Sequence, residues 1–381
     1  MMPAKAIIVY QPGAADAVTQ FFQDKLDVSL VAYSLPGVTG SGSDETRPAF
    51  RTGGLLLPRL STVVANVTPR QFQLLKEHKG RGIIEAVYPD WVTTTPRLRS
   101  AKSWAKVPTP SPGALKAMSV STNGPTGTGV KVAVLDSGFD PNRKGFGGPD
   151  VQLWSAVEDN STADRYGHGT HCAGLVGGNV DDSGNRFGVA PDVNLYCCKV
   201  MYGQIGLGSA LVLGIEGALA RRVDVILIAQ EFSAKAARRL DFDYWGQRAI
   251  DQCTLIIAAA GNKGPRGTVR LPGAAVKVAA VGALTNSAGP LENSSRSGST
   301  AGSEVDFAAP GEEIYSACAQ GRYLNLSGTS MAAAHAAGIA ALWVEKEKVY
   351  GADLWVKMAS RAAVLRTAKP AEAGAGIVQA P

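Results

Sequence analysis

From Gly129 onward the chain alternates two kinds of hydrophobic pattern. Near-continuous apolar runs, VKVAVL (130–135), NLYCCKV (194–200), DVILIA (224–229), TLIIAAA (254–260) and VKVAAVGA (276–283), are separated by alanine-rich stretches of helical pattern such as 208–221 and 235–252. Strands without polar alternation are covered on both faces, and helices between them imply a parallel sheet. A last helical pattern, Ser330 to Lys346, is apolar over most of its circumference and predicts a buried helix. The first hundred residues read differently. Ala6 to Tyr10 predicts a short strand, and 15–26 an amphipathic helix carrying Val18, Phe21, Phe22 and Leu26. Residues 35–58 read as loop, and Leu60 to Val67 as a strand. Thr68 then caps a helix that begins at Pro69 and ends near Gly80, before a strand over Gly82 to Val87. This β-α-β-α-β order matches half of a ferredoxin-like layer. Thr93 to Asn123, rich in Pro, Ser, Thr and basic residues, reads as a linker. The expected division is a small α+β unit over 1–100, a connecting stretch over 101–123 and a large α/β unit over 124–381.

With 381 residues, 45% hydrophobic and 18% charged, the chain is neither a disordered tail nor a small disulfide scaffold. Its 38 basic and 32 acidic side chains leave +6, with no dense Lys/Arg block, so no nucleic-acid partner is expected. Five scattered cysteines, Cys172, Cys197, Cys198, Cys253 and Cys318, fit neither a disulfide framework nor a structural zinc site. The apolar run before Gln11 is too short for a signal-peptide core or a membrane span, which points to a cytoplasmic location without a membrane partner.

Four residues carry candidate chemistry. Asp136 closes the apolar strand VAVL, at the end that faces the crevice in a parallel α/β fold; a turn-capping Asp has the same local context. His168 stands in GHGTH at the start of a helical stretch, where the helix amino terminus favours a neutral imidazole able to act as a base; glycine-flanked histidines are as often structural. Ser330 opens the buried helix, either as a simple N-cap or where helical N–H groups stabilise negative charge beside its hydroxyl. Asn262 follows TLIIAAA directly, a position that also suits a turn former. His171 and His335 sit at irregular distances from His168 with no carboxylate at ligand spacing, so no metal is expected.

Taken together these motifs resemble the subtilisin-like serine proteases, the subtilase (peptidase S8) family: VAVLDSG around Asp136, GHGTHCAG around His168, AAAGN around Asn262 and GTSMAAAHAAG around Ser330, in that order, over about residues 100–381. The chain order Asp, His, Ser is that of the subtilisin-type triad. The resemblance implies a subtilisin-like parallel sheet flanked by helices. It also implies a triad of Asp136, His168 and Ser330, with Asn262 and the Ser330 N–H as the oxyanion hole. Residues 1–100 resemble the family's inhibitory propeptide, on VTPRQFQLLKEHKGRGIIEAVYPDWV (67–92). That implies an α+β ferredoxin-like module that lays a segment at about 92–103 along the substrate strands and acts as an intramolecular inhibitor.

The substrate cleft departs from the family pattern. Its usual S-L-G-G strand reads Ala229, Gln230, Glu231, Phe232, and Gln204, Ile205 and Gly206 fall where the opposite strand is expected. Glu231 either narrows the pocket for the residue before the cut or sets a carboxylate at its rim; the second case implies a preference for Lys or Arg. No cofactor is expected, and DDSGNRFG (181–188) is the nearest approach to a calcium loop. The implied function is a serine endopeptidase acting on proteins or peptides and made as a self-processed zymogen. A subtilase-fold peptide binder without catalysis and a peptide-processing transpeptidase are the alternatives.

Overall fold

The structure, a computed structural model, describes residues 4–34, 53–95, 109–141, 145–146, 151–232, 239–292, 294 and 304–381. The large unit is built on seven parallel strands, β7 (Lys131–Asp136), β8 (Gln152–Ser155), β9 (Asn194–Lys199), β12 (Val225–Ile228), β14 (Leu255–Ala259), β15 (Ala279–Leu284) and β16 (Phe307–Pro310). Their spatial order is β16-β15-β14-β12-β7-β9-β8. Every described pair in this sheet is parallel. The chain leaves β7 towards β9 on one side and returns as β12 on the other, so the strand order reverses at β7. In open parallel sheets, that reversal opens a crevice at the carboxyl ends of the strands.

Helix α4 (His168–Gly177) and helix α7 (Thr329–Glu347) cover one face and share its core, including Leu227, Ile257, Val281, Cys172 and Ile339. Helices α5 (Gly208–Ala220) and α6 (Arg239–Ile250) cover the other. The run Ser330–Val344 is buried throughout, as its all-round apolar pattern requires.

The small unit is built on a five-stranded sheet, β1 (Ala4–Tyr10), β2 (Leu30–Ala32), β3 (Gly54–Leu57), β4 (Thr62–Val67) and β5 (Ile84–Pro89), in the order β2-β3-β4-β1-β5. Helix α1 (Ala15–Phe21) continues as a π turn over Phe22–Leu26, and α2 (Pro69–His78) starts with a capping box between Thr68 and Gln71. Strand β1 is buried on both faces for a reason that alternation exposes. Ala6, Ile8 and Tyr10 pack with the small unit's own helices, while Ile7 and Val9 join a core shared with α5 and α6. The sheet is thus a layer between its own helices and those of the large unit.

Polar contacts reinforce that face. Buried Glu216 of α5 accepts the backbone N–H groups of Arg59 (3.2 Å) and Leu60 (3.1 Å) as well as the Arg59 guanidinium. Trp245 Nε1 donates to Thr62 Oγ1, and Trp91 stacks on Trp245 with ring centroids 6.0 Å apart.

Two expectations need correction. Part of the stretch read as loop over 35–58 is strand β3; its residues 35–52 lie outside the described residues. The linker expected from Thr93 onward instead begins with strand β6 (Val92–Thr94) and later contains helix α3 (Pro112–Ala117); residues 96–108 lie outside the described residues. Among the described residues no helix is long and apolar enough to cross a membrane.

Candidate active site

The four motif residues meet at the carboxyl ends of the central strands. Asp136 ends β7, and its carboxylate receives the His168 ring, Nδ1 lying 2.9 and 3.0 Å from the two oxygens. The Ser137 N–H donates to the same carboxylate at 2.7 Å. His168 is the first residue of α4, and the bend that sets it there needs a glycine. Gly167 has φ +100°, and a Cβ on it would lie 2.4 Å from Cys318 Sγ. The loop ahead of the helix is organised by buried Asp164, which accepts the Gly167, Tyr166 and Thr170 N–H groups and two side-chain hydroxyls.

Burial alone would depress the His168 pKa, yet its net position is well above the ordinary value. The Asp136 charge, aided by the Cys172 thiol, outweighs desolvation. The expectation of a depressed pKa from the helix terminus is therefore reversed. Cys172 lies one helical turn on, with Sγ 3.9 Å from His168 Nδ1. In the sequence it stands only among the five scattered cysteines, with no role assigned. The i, i+4 spacing on one helix was the available signal.

Ser330 is the second residue of α7, whose N-cap is Gly328, so the simple capping role does not apply. Its hydroxyl donates to Ala229 O at 2.9 Å, while His168 Nε2 is buried with no partner among the described residues. Serine and histidine are thus not hydrogen-bonded in this state. Ser330 and His168 are 1% and 2% exposed, so the site is covered. The Ser330 N–H belongs to the first helical turn, which has no acceptor within the helix. Asn262 follows β14, and its Oδ1 accepts the Thr329 N–H (3.0 Å) and Thr329 Oγ1 (3.2 Å). With Oδ1 committed, Nδ2 is the amide group left to donate. Thr329, whose role was not anticipated, therefore sets the orientation of Asn262.

The six residues expected along the substrate cleft also gather. Strand β6 of the small unit lies between β11 (Ile205–Leu207) and β13 (Glu231–Phe232), antiparallel to both. Thr94 faces Ile205 on one side and Glu231 on the other, and Thr93 faces Gly206 and Phe232. The Thr95 N–H donates to Gln204 O at 3.1 Å, and Thr93 Oγ1 donates to Gln230 Oε1 at 2.7 Å. The segment expected at about 92–103 is described as far as Thr95; residues 96–103 lie outside the described residues. Glu231 is not a free carboxylate. Lys263 Nζ lies 2.5 Å from Oε1, and the Asn262 N–H donates to Oε2 at 3.3 Å.

Two further buried histidines are held by backbone carbonyls. His171 Nε2 lies 3.1 Å from both Ile314 O and Leu324 O, and His335 Nδ1 donates to Pro310 O. Burial lowers their pKa values to about 3 and about 4. Asp136, His168 and Cys172 place ligand-type atoms within 4.8 Å of one another, but the carboxylate is already engaged by the His168 ring and the Ser137 N–H. In the 181–188 loop, the Asp181 carboxylate accepts the Ser183 and Asn185 N–H groups and the Tyr315 hydroxyl. Its lone pairs are therefore directed at donors.

The family model for the Subtilase family (Peptidase_S8) matches residues 127–379, and the chain belongs to that family. Among curated relatives, Subtilisin E of Bacillus subtilis (strain 168) is 36% identical over 247 residues, 62% of this chain and 61% of the relative. A subtilisin of Bacillus sp. (strain TA39) is 30% identical over 331 residues, 78% of this chain and 77% of the relative. The solved structure titled "S41 Psychrophilic Protease" aligns with a TM-score of 0.61 at 30% identity, covering 72% of this chain and 100% of that one. The chain spans about three-fifths of the length of Subtilisin E and relatives of the same length.

Proposed function

We propose that the chain is a serine endopeptidase of the subtilisin type, held inactive by its own N-terminal unit. The observation that carries this reading is strand β6, which runs backbone to backbone between Ile205–Leu207 and Glu231–Phe232, two residues past Ala229, whose carbonyl accepts the hydroxyl of buried Ser330. Adding a strand between two exposed edges is how a cleft recognises extended peptide. A substrate is read as taking the same place.

In the working state Ser330 Oγ attacks the scissile carbonyl, forming the C–O bond of a tetrahedral intermediate. His168 Nε2 takes the hydroxyl proton and then delivers it to the leaving amine, releasing the first product and an acyl-enzyme. Water repeats the cycle and frees Ser330. Asp136 holds the ring through Nδ1 and supports the imidazolium. Asn262 Nδ2 and the Ser330 N–H donate to the oxyanion. The described state fits an idle enzyme. The Ser330 hydroxyl donates to Ala229 O and not to His168.

A fluorophosphonate probe tests this directly. The expected result is labelling of wild type that disappears in Ser330→Ala, with two fragments appearing on incubation of wild type alone. Mass analysis of peptide products separates hydrolysis from transpeptidation. A wild-type chain that never labels, even under conditions that detach the N-terminal unit, is a peptide binder and not a protease.

A further inference from the structure

Strand β6 carries one side chain whose surroundings bear on what the cleft selects. Thr93 is fully buried and its hydroxyl is bonded to Gln230 Oε1 at 2.7 Å. Gln230 is itself 1% exposed, and its Nε2 is buried with no hydrogen-bond partner among the described residues. Across the strand, Thr93 faces Gly206. A Cβ on Gly206 would lie 2.4 Å from Thr93 Oγ1, so the missing side chain is the space the hydroxyl uses. Gly206 and Gln230 thus wall a slot with a buried amide, half of which is still unpaired.

The register fixes what this slot reads. Glu231 faces Thr94 and Phe232 faces Thr93. In a peptide bound in the same register, the residue three positions beyond the one in Thr93's place falls opposite Ala229. Its carbonyl then lies beside Ser330, which is bonded to Ala229 O. The slot therefore takes the fourth residue before the cut.

We propose that Gln230 makes this a polar subsite, selecting peptide substrates with Thr, Ser or Asn at the fourth residue before the cut over aliphatic and aromatic ones. The inference rests on the endopeptidase reading with β6 in the substrate's place. An apolar side chain in the slot strands both halves of a buried amide, and a site built to hydrogen-bond discriminates strongly against a partner that lacks the group. Thr satisfies Oε1 only. Asn offers a donor to Oε1 and an acceptor to Nε2, so it fits at least as well.

Two measurements on the full chain test the proposal. The first is the rate at which a fluorophosphonate labels Ser330, which requires the covered site to open. Thr93→Val, nearly isosteric but without the hydroxyl, is expected to speed labelling about tenfold. Thr93→Asn is expected to leave it slow, and adding Gln230→Leu to Thr93→Val to slow it again. The second is a peptide library varied at the fourth residue before the cut. Thr and Asn are expected to exceed Val and Leu about tenfold in kcat/KM, with the order reversed in Gln230→Leu. Equal labelling of wild type and Thr93→Val, or an aliphatic preference in wild type, overturns the proposal while leaving the protease reading intact. Absence of labelling and of hydrolysis in every chain overturns both, and is distinguishable for that reason.

Discussion

Asp90 of the small unit closes on both polar atoms of Ser209 in the large one, Oδ1 accepting its N–H at 2.9 Å and Oδ2 its hydroxyl at 2.6 Å. Ser209 is the second residue of α5, and the residue before that helix, Leu207, supplies no side-chain cap. The N–H of the first residue, Gly208, donates to Trp91 O instead. One unit therefore caps a helix of the other, satisfying donors that an uncapped helix leaves to water. The Asp90 negative charge also lies at the favourable end of the helix dipole.

Asp90→Ala is accordingly expected to weaken the hold of the N-terminal unit by about 1 kcal/mol, the usual loss for a deleted cap. The check is faster fluorophosphonate labelling of Ser330 and an earlier thermal transition than wild type. Asp90→Asn, which keeps an acceptor oxygen, should fall between the two.

Much of this fold is legible in local pattern because its cause is local. The apolar runs of β7, β9, β12, β14 and β15 are buried on both faces, and Thr68, Pro69 and Gln71 together form the helix start that α2 shows. Strand β6 escapes such reading. Its Val-Thr-Thr sequence has no apolar stripe, and it is extended because two strands from the other unit pair with its backbone. Helix α8 (Gly351–Arg361) and strand β16 were missed too, the latter because Phe-Ala-Ala-Pro is too short for a period. At the site, the sequence motifs mark Asp136, His168, Asn262 and Ser330. The contact from Thr329 that orients Asn262 arises only when segments 67 residues apart meet, whereas the Asp164 bonds that shape the turn before His168 are local.

A buried acid remote from the cleft makes stability pH-dependent. Burial, with the charge of Glu304 adding to it, raises the Asp306 pKa from 3.8 to about 7, against opposing bonds from the Ala280 N–H and Trp355. The unfolded chain ionises this group above pH 3.8, whereas the folded chain keeps it protonated to about 7. Its contribution is therefore intact below the unfolded value and is lost as pH rises through that window, by a few kcal/mol at most. Asp306→Asn carries no charge to lose. It should match wild type in Tm near pH 4 and exceed it at pH 8, by several degrees. Equal differences at both pH values would sink the assignment.

The His168 ring is held between opposing influences, and removing one exposes the other. In full-length Ser330→Ala, which cannot process itself under the proposed mechanism, NMR should find the ring titrating above 6.5. Asp136→Asn in that background deletes the carboxylate that raises the value and leaves burial, which lowers it. The ring should then titrate below 6.5. A ring that titrates identically in both chains is not governed by Asp136.

The paired state of Glu231 changes what the sequence alone suggests about specificity. A lone carboxylate at this edge would attract Lys or Arg in a substrate. In the antiparallel register, the peptide residue opposite Ala229 lies diagonally across from Glu231, within reach of a long side chain. Lys263 already answers that charge at 2.5 Å, and the Asn262 N–H takes the second oxygen. Wild type is therefore expected to show no marked preference for a basic residue immediately before the cut. Lys263→Met removes the competing ammonium from an exposed position and leaves the carboxylate in place, so a preference for Lys and Arg should appear. It should fade with added salt, as attraction across a partly open cleft does. Glu231→Gln should show neither the preference nor its salt dependence. Because it also weakens the hold on the Asn262 backbone, kcat should drop several-fold with little change in KM, the signature of a contact that matters only when the oxyanion forms. A profile in which Lys263→Met and wild type prefer the same residues would show that Glu231 plays no part in choosing the residue at the cut.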